Sequence, residues 1–203
     1  MSCNQTLSGL VKDCSPSMGG IVEVLLANRE DVQSVSAEAG KISGITMVAS
    51  AKFKKYTFAR NTGSMTSTYT IDQASGVKYV TTDLLLQFNR METTKRVEIS
   101  ALAVNDLVAI VKDANGIYWY LGYDEPVNAS AADGQTGTAR GDANRYTITL
   151  QDNSKEMPME VEASIIDGLL KGYHISVQSR SALPQGAGLL FYRKPGFYIY
   201  MKR

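Results

Sequence analysis

Between Ser64 and Asn89 the side chains alternate in character, and only extended backbone can use such a pattern. In the first half Met65, Tyr69 and Ile71 share one parity, while Ser64, Thr66, Thr68, Thr70 and Asp72 hold the other. In the second half Val80, Leu84, Leu86 and Phe88 alternate with Thr81, Asp83, Gln87 and Asn89. Alternate residues of a strand point to the same face, so each run predicts a long strand with one dry face and one wet face. Gln73-Ala74-Ser75-Gly76 supplies the turn that folds the two into a hairpin. The wet face is mostly hydroxyl and carries almost no Lys or Arg. Exposed strands are usually guarded by charge, so a long uncharged polar face is expected to serve another task, such as lining a wide water-filled passage.

The flanking segments extend the strand reading. Ile21 to Ala27 is a nearly unbroken apolar run containing Glu23, and predicts a buried strand. Asp31 to Ala37, Ile45 to Ala49 and Lys52 to Arg60 predict three more, the last with Tyr56 and Phe58 opposite Lys55 and Thr57. Asn61-Thr62-Gly63 reads as a turn from that strand into Ser64, which makes a meander of three strands or more. Asn115-Gly116, between Leu107–Asp113 and Ile117–Gly122, is the clearest hairpin signal in the chain. There Tyr118 and Tyr120 share one face, and Ile117, Trp119 and Leu121 the other. Trp119 reads as a core anchor packing with Leu86 or Phe88; a ligand-stacking role is the alternative.

Asn128 to Asn144 reads as loop, Tyr146 to Leu150 as a strand with Tyr146, Ile148 and Leu150 inward, and Met157 to Val161 as an edge strand after a proline bend. Thr93 to Val104 predicts the one helix, with Val97, Ala101, Val104 and Leu102 as its apolar stripe, Thr93 or Thr94 as its cap, and Glu98 on the solvated side. Ile165 to Tyr173 leaves helix and strand open. The expected fold is therefore mainly β, a sandwich or barrel-like closed sheet with one helix and extended loops or arms. Its expected organisation is an N-terminal arm over 1–20, a β-sandwich domain over 21–188, and a C-terminal strand or arm over 189–203. That last segment concentrates Phe191, Tyr192, Phe197, Tyr198 and Tyr200. So many aromatics must bury on their own domain or on a partner.

Composition narrows the function classes. The formal net charge of +1 gives no bulk bias toward nucleic acid or an anionic membrane. Basic residues cluster at Lys52, Lys54, Lys55 and Arg60, and again at Arg193, Lys194, Lys202 and Arg203, without a recognised nucleic-acid module. Cys3 and Cys14 are not a C-x-x-C pair, and with His174 as the single histidine no Cys/His zinc set can be assembled. The Gly134–Gly141 stretch lacks the Lys of a phosphate loop, and Asp142-Ala143-Asn144 lacks the closing Glu of a calcium loop. No carboxylate pair or nucleophile is nominated. The expectation is a protein that is not an enzyme and takes no cofactor or metal. No secretory signal or apolar run of about 18 residues is visible, so synthesis in a cytoplasm and no membrane partner are expected.

Four segments carry a resemblance: Thr62-Gly63-Ser64-Met65-Thr66-Ser67-Thr68; Val80-Thr81-Thr82-Asp83-Leu84; Lys95-Arg96-Val97-Glu98-Ile99-Ser100-Ala101-Leu102; and Asp113-Ala114-Asn115-Gly116-Ile117-Tyr118-Trp119-Tyr120-Leu121-Gly122. Their order, spread over Ile45 to Gln151, resembles the major tail tube proteins of long-tailed, siphovirus-like bacteriophages of gut Bacteroides-type bacteria. The resemblance implies a β-sandwich subunit in stacked, six-fold homo-oligomeric rings whose inner sheets join into a continuous barrel. It further implies a virion location, other phage tail proteins as partners, and genome DNA passing through the channel without specific binding. On that reading Ser64, Thr66, Thr68, Thr70, Thr81, Asp83 and Gln87 line the lumen. Lys or Arg along such a wall would hold DNA by its phosphates, whereas hydroxyls and amides would not. A related neck or baseplate ring protein, and a monomeric carbohydrate- or ligand-binding β-domain, are the competing readings.

Overall fold

Two segments are apolar at both parities and can be satisfied only by burial on both faces. They are β1 (Ile21–Asn28) and β7 (Leu107–Asp113), and in the computed structural model, which describes residues 9–171, they pair antiparallel with Leu25 opposite Ile110. Around them forms a seven-stranded sheet that also takes in β2 (Val32–Glu38), β3 (Lys41–Met47), β4 (Lys54–Thr57), β8 (Tyr118–Leu121) and β11 (Met159–Val161). Its order is β2-β3-β11-β8-β7-β1-β4. A second sheet, wholly antiparallel, contains β5 (Gly63–Asp72), β6 (Val77–Asn89), β9 (Asn128–Gln135) and β10 (Arg145–Ser154), in the order β5-β6-β10-β9.

The two parities of β1 and β7 feed two cores. Val24, Leu26, Ala109 and Val111 pack with Leu84, Leu86, Ile148 and Leu150, which fills the space between the sheets. Leu25, Ala27, Val108 and Ile110 pack on the other side with Ile42, Phe53, Val161, Ile166 and Leu169. The last two belong to a helix, α2 (Ala163–Lys171). The layers are thus sheet, sheet and helix. The other helix, α1 (Thr93–Val104), inserts Ile99 and Leu102 into the inter-sheet core. Full burial of a Leu or Ile side chain is worth ~1.5–3 kcal/mol. Among the described residues, most of the large, fully buried side chains come from β1, β6, β7, β8 and β10.

The expected mainly-β sandwich is what the chain forms, with several corrections to its parts. β4 and β5 do not form a hairpin: β4 pairs with β1, and β5 pairs with β6 in the other sheet. The corner between them needs Asn61 at φ 63° and a glycine at position 63, where a Cβ would lie 2.7 Å from Phe58 and 2.9 Å from Ile21. A turn signal thus marks a change of sheet. Asn128 to Gln135, expected as loop, is a strand held by its register with β10. β11 is internal, paired parallel with β3 and antiparallel with β8, where an edge strand was expected. The segment left open from Ile165 belongs to α2, a second helix where one was expected. In α1, Leu102 of the expected stripe is buried, but Val97, Ala101 and Val104 are exposed and the second buried residue is Ile99. Its N-cap is Glu92, not Thr93 or Thr94. Glu98 is half-buried and accepts a short hydrogen bond from the Tyr56 hydroxyl, which ties α1 to β4.

Residues 9–20 carry no regular structure and are exposed, and the arm reaches the body through paired bonds between Met18 and Asn115. Cys14 is an exposed free thiol. Cys3, His174 and the aromatic tail from Phe191 lie outside the described residues.

Candidate functional site: the outer face of the four-stranded sheet

Register decides which side chains share a face. Thr66 stands opposite Asp83, Thr68 opposite Thr81, and Ser64 opposite Leu85. Across the next ladder Thr81 meets Asn153, Asp83 meets Gln151, Leu85 meets Thr149 and Gln87 meets Thr147. The last ladder adds Asp133 opposite Thr147 and Gln135 opposite Arg145. All seven residues expected on a wet face therefore lie on one face, turned away from the inter-sheet core. Ser64, Thr66, Thr68, Thr70 and Asp83 are exposed, and Thr81 and Gln87 are half-buried.

Sequence reasoning missed the half of this face that β9 and β10 contribute. Thr147, Thr149, Gln151 and Asn153 alternate with buried Ile148, Leu150 and Asp152, so the signal was present beyond Leu150. In β9 there was almost none: Ala, Ser and Gly offer no dry parity to detect.

Polar pairs bind the face across its strands. Thr81 Oγ1 donates to Asn153 Oδ1 at 3.1 Å, and Gln151 Nε2 donates to Asp83 Oδ1 at 2.9 Å. Arg145 is the one cation on this face among the described residues. Its Nη1 donates to Gln87 Oε1 at 2.9 Å, and Gln135, its amide oxygen turned inward, accepts from Arg145 Nε at 3.0 Å. The guanidinium is thereby pinned at one end of the face, held flat between two amides. Asp72, Asp83 and Asp133 leave the surface slightly acidic. Such a surface holds water well and offers a polyanion no unpaired cation.

Both edges of this sheet are open: among the described residues no strand pairs with the outer side of β5 or of β9. β5 is ten residues long with Asp72 as its only charged residue, and β9 is eight residues long with only Asp133. The β5–β6 hairpin outruns the body of the domain. Tyr69 and Ile71, expected on the dry face, are 43% and 58% exposed, because no second sheet lies beneath them. Tyr69 nonetheless donates through its hydroxyl to the Lys155 carbonyl at 3.0 Å.

The other candidate residues take structural roles. Trp119 is half-buried against the core that contains Leu86 and Phe88, and its Nε1 donates to Asp113 Oδ2 at 3.2 Å. Lys55 pairs with Glu23 at 2.5 Å. Asp142 accepts from the backbone N–H of Thr138 and of Ala139, both at 2.7 Å; these bonds hold its carboxyl below the usual range and tie the loop to itself. Among the described residues no three His, Cys, Asp or Glu side chains are grouped to hold a metal ion, and no helix is long and apolar enough to cross a membrane. Comparison with protein-family models, with curated proteins and with solved structures gave no match for the chain.

Proposed function

We propose that the chain is a structural virion subunit that assembles with copies of itself into stacked, six-fold rings, forming a phage tail tube through which genome DNA passes. One observation carries the reading: a four-stranded sheet that is wet on its outer face, cation-poor, and open at both long edges. Unpaired N–H and C=O groups along an uncharged strand are a template for pairing with another chain. Joining β5 of one copy to β9 of the next would satisfy both edges at once and extend the sheet around a ring. Six such sheets supply about twenty-four strands; at ~4.8 Å spacing the backbone circle is ~37 Å across before strand tilt widens it. That leaves room for a DNA duplex inside the side chains. The face presented to it would be mostly hydroxyl and amide, with Val77, Tyr79 and Leu85 set among them and Arg145 already occupied.

The carbohydrate-binding alternative loses its best residue, because the Trp119 indole packs on the core and donates its N–H to Asp113. Negative-stain electron microscopy of the purified protein tests the proposal. Stacked rings or tubes are expected; single rings that never stack would favour a neck or baseplate component, and isolated particles at high concentration would count against assembly altogether. In tubes, a Thr68→Cys thiol should react with a bulky maleimide far more slowly than Cys14 does. Equal rates would remove Thr68 from the lumen.

A further inference from the structure

Asn115-Gly116 is the single Asn-Gly pair in the chain, and it sits at the tip of the hairpin between β7 and β8. Both residues are exposed, and Gly116 takes φ 89°, a conformation that favours glycine. The Asn115 side chain is engaged by the N-terminal arm. Its Oδ1 accepts from the Met18 N–H at 2.8 Å, and its Nδ2 donates to the Met18 carbonyl at 3.1 Å. The carboxamide thus pairs with the arm's backbone as a neighbouring strand would. One further bond, from the Ala114 N–H to the Gly20 carbonyl at 3.0 Å, completes the attachment. Among the described residues, no hydrogen bond ties residues 9–17 to the body, and Leu10 and Val11 stand fully in solvent. The arm is therefore latched at its root, largely through one side chain.

That side chain is chemically labile. Asparagine is a thermolabile residue, and a following glycine has no Cβ to obstruct attack by its own backbone nitrogen. At this site a bond forms between the Gly116 nitrogen and Asn115 Cγ, and the Gly116 amide proton is lost. The Cγ–Nδ2 bond breaks, and Nδ2 leaves as ammonia with a proton. Water then opens the cyclic imide at either carbonyl, which leaves aspartate or isoaspartate at position 115.

Two restraints oppose the first step. The Gly116 N–H donates to the Asp113 carbonyl at 3.2 Å, and Met18 holds both ends of the Asn115 carboxamide. The product cannot rebuild the second restraint. A carboxylate has no N–H for the Met18 carbonyl and sets one acceptor against another. Isoaspartate also adds a backbone carbon to the turn. Either product places a negative charge two residues from Asp113, whose Oδ1 accepts from the N–H groups of Asn115 and Ile117, both at 2.9 Å.

We propose that Asn115 is a deamidation site coupled to the N-terminal arm, and that the two form a one-way latch: the seated arm protects the amide, and deamidation prevents the arm from reseating. The inference rests on the hairpin and the arm alone and is independent of tube assembly.

The test ages the full-length protein in mildly alkaline buffer, which favours loss of the Gly116 amide proton, and follows Asn115 by peptide mass spectrometry. Met18→Pro removes the N–H that donates to Asn115 Oδ1 and should speed deamidation several-fold. Asn115→Asp carries the product from the start, and amide hydrogen exchange at Met18 and Ala114 should rise several-fold over the parent. Ile110, fully buried in β7, should stay protected in both variants and reports an intact fold. Equal deamidation rates in the parent and in Met18→Pro, no deamidation at Asn115 in either, or parental exchange at Met18 and Ala114 in Asn115→Asp overturns the proposal.

Discussion

The two sheets of this domain solve the edge problem in opposite ways. In the seven-stranded sheet one outer strand, β4, is four residues long and begins with Lys54 and Lys55. The other, β2, is broken by two register shifts against β3. Shortness, lysine and bulges are all ways to keep a sheet from recruiting another chain. In the four-stranded sheet the outer strands are long and nearly uncharged, and only β9 carries an irregularity, between Thr149 and Leu150 of its partner. One sheet has guarded edges, and the other has edges without a guard. The same division holds for the faces: β7 is buried on both sides, whereas β6 is buried on one and wet on the other. Among the described residues, more of the buried side chains lie in the first sheet, and the long, nearly uncharged open edges lie in the second.

The sharpest way to break this comparison is to empty the first sheet. Ile110 is fully buried beneath α2, and Ile110→Ala should cost ~2–5 kcal/mol in urea unfolding. A loss below about 1 kcal/mol would mean that β7 is not sandwiched as described. Next comes Asp152→Asn. Burial pushes the folded carboxyl up to about 6 from its ordinary 3.8, so ionising it opposes folding. The penalty is absent below the unfolded pKa, grows as pH rises toward 6, and is complete above it. It amounts to at most about 3 kcal/mol. Asp152→Asn should therefore stabilise the protein by about 2 kcal/mol at pH 7.5 and by almost nothing near pH 4, read from paired unfolding curves. A gain that does not change with pH would remove the carboxylate as its cause.

A smaller effect is expected where α1 is strapped to β4. Tyr56→Phe deletes the hydroxyl that reaches Glu98 and should cost ~1–2 kcal/mol, with thermal melting as the readout. The least effect on stability falls on the open edge. Ala131→Lys, at an exposed position of β9, should change unfolding free energy by less than about 0.5 kcal/mol. It should nevertheless prevent rings in the microscope, since it installs the guard that β4 carries and β9 lacks. Normal rings from this variant would show that β9 is not the contact edge.

Legibility in the sequence followed side-chain contrast. The β5–β6 hairpin could be read because every second residue changed character, and α1 was placed at Thr93 to Val104 by its flanking turns and spacing. The buried face of α1 was legible only at Leu102, because its other member is the lone Ile99 while the β-branched Val97 and Val104 lie on the wet side. β9 was hidden because alanine and serine are neutral to burial, and its pairing with β10 imposes the strand. The crossing at Asn61 to Gly63 looked like any turn, since a turn residue does not reveal which sheet the next strand enters. Thr82, Tyr120 and Asp152 were hidden in a different way. Each sits on a dry parity, and a lone polar residue there reads as noise until the packing shows it buried.

β11 is three residues long, and among the described residues it alone joins the β2–β3 hairpin to the rest of the seven-stranded sheet. Position along the chain then becomes position in time. On the ribosome, residues 32–47 emerge early and can form their own hairpin, but the strand they dock on is completed only at Val161. A solitary two-stranded hairpin is marginal in water. For most of synthesis this part of the sheet has no place to go, and its unpaired edge waits on the last stretch before α2. Truncated chains released from the ribosome and ending before or after residue 161 should differ abruptly in protease resistance over 32–47, a late-closing step set by the order of translation.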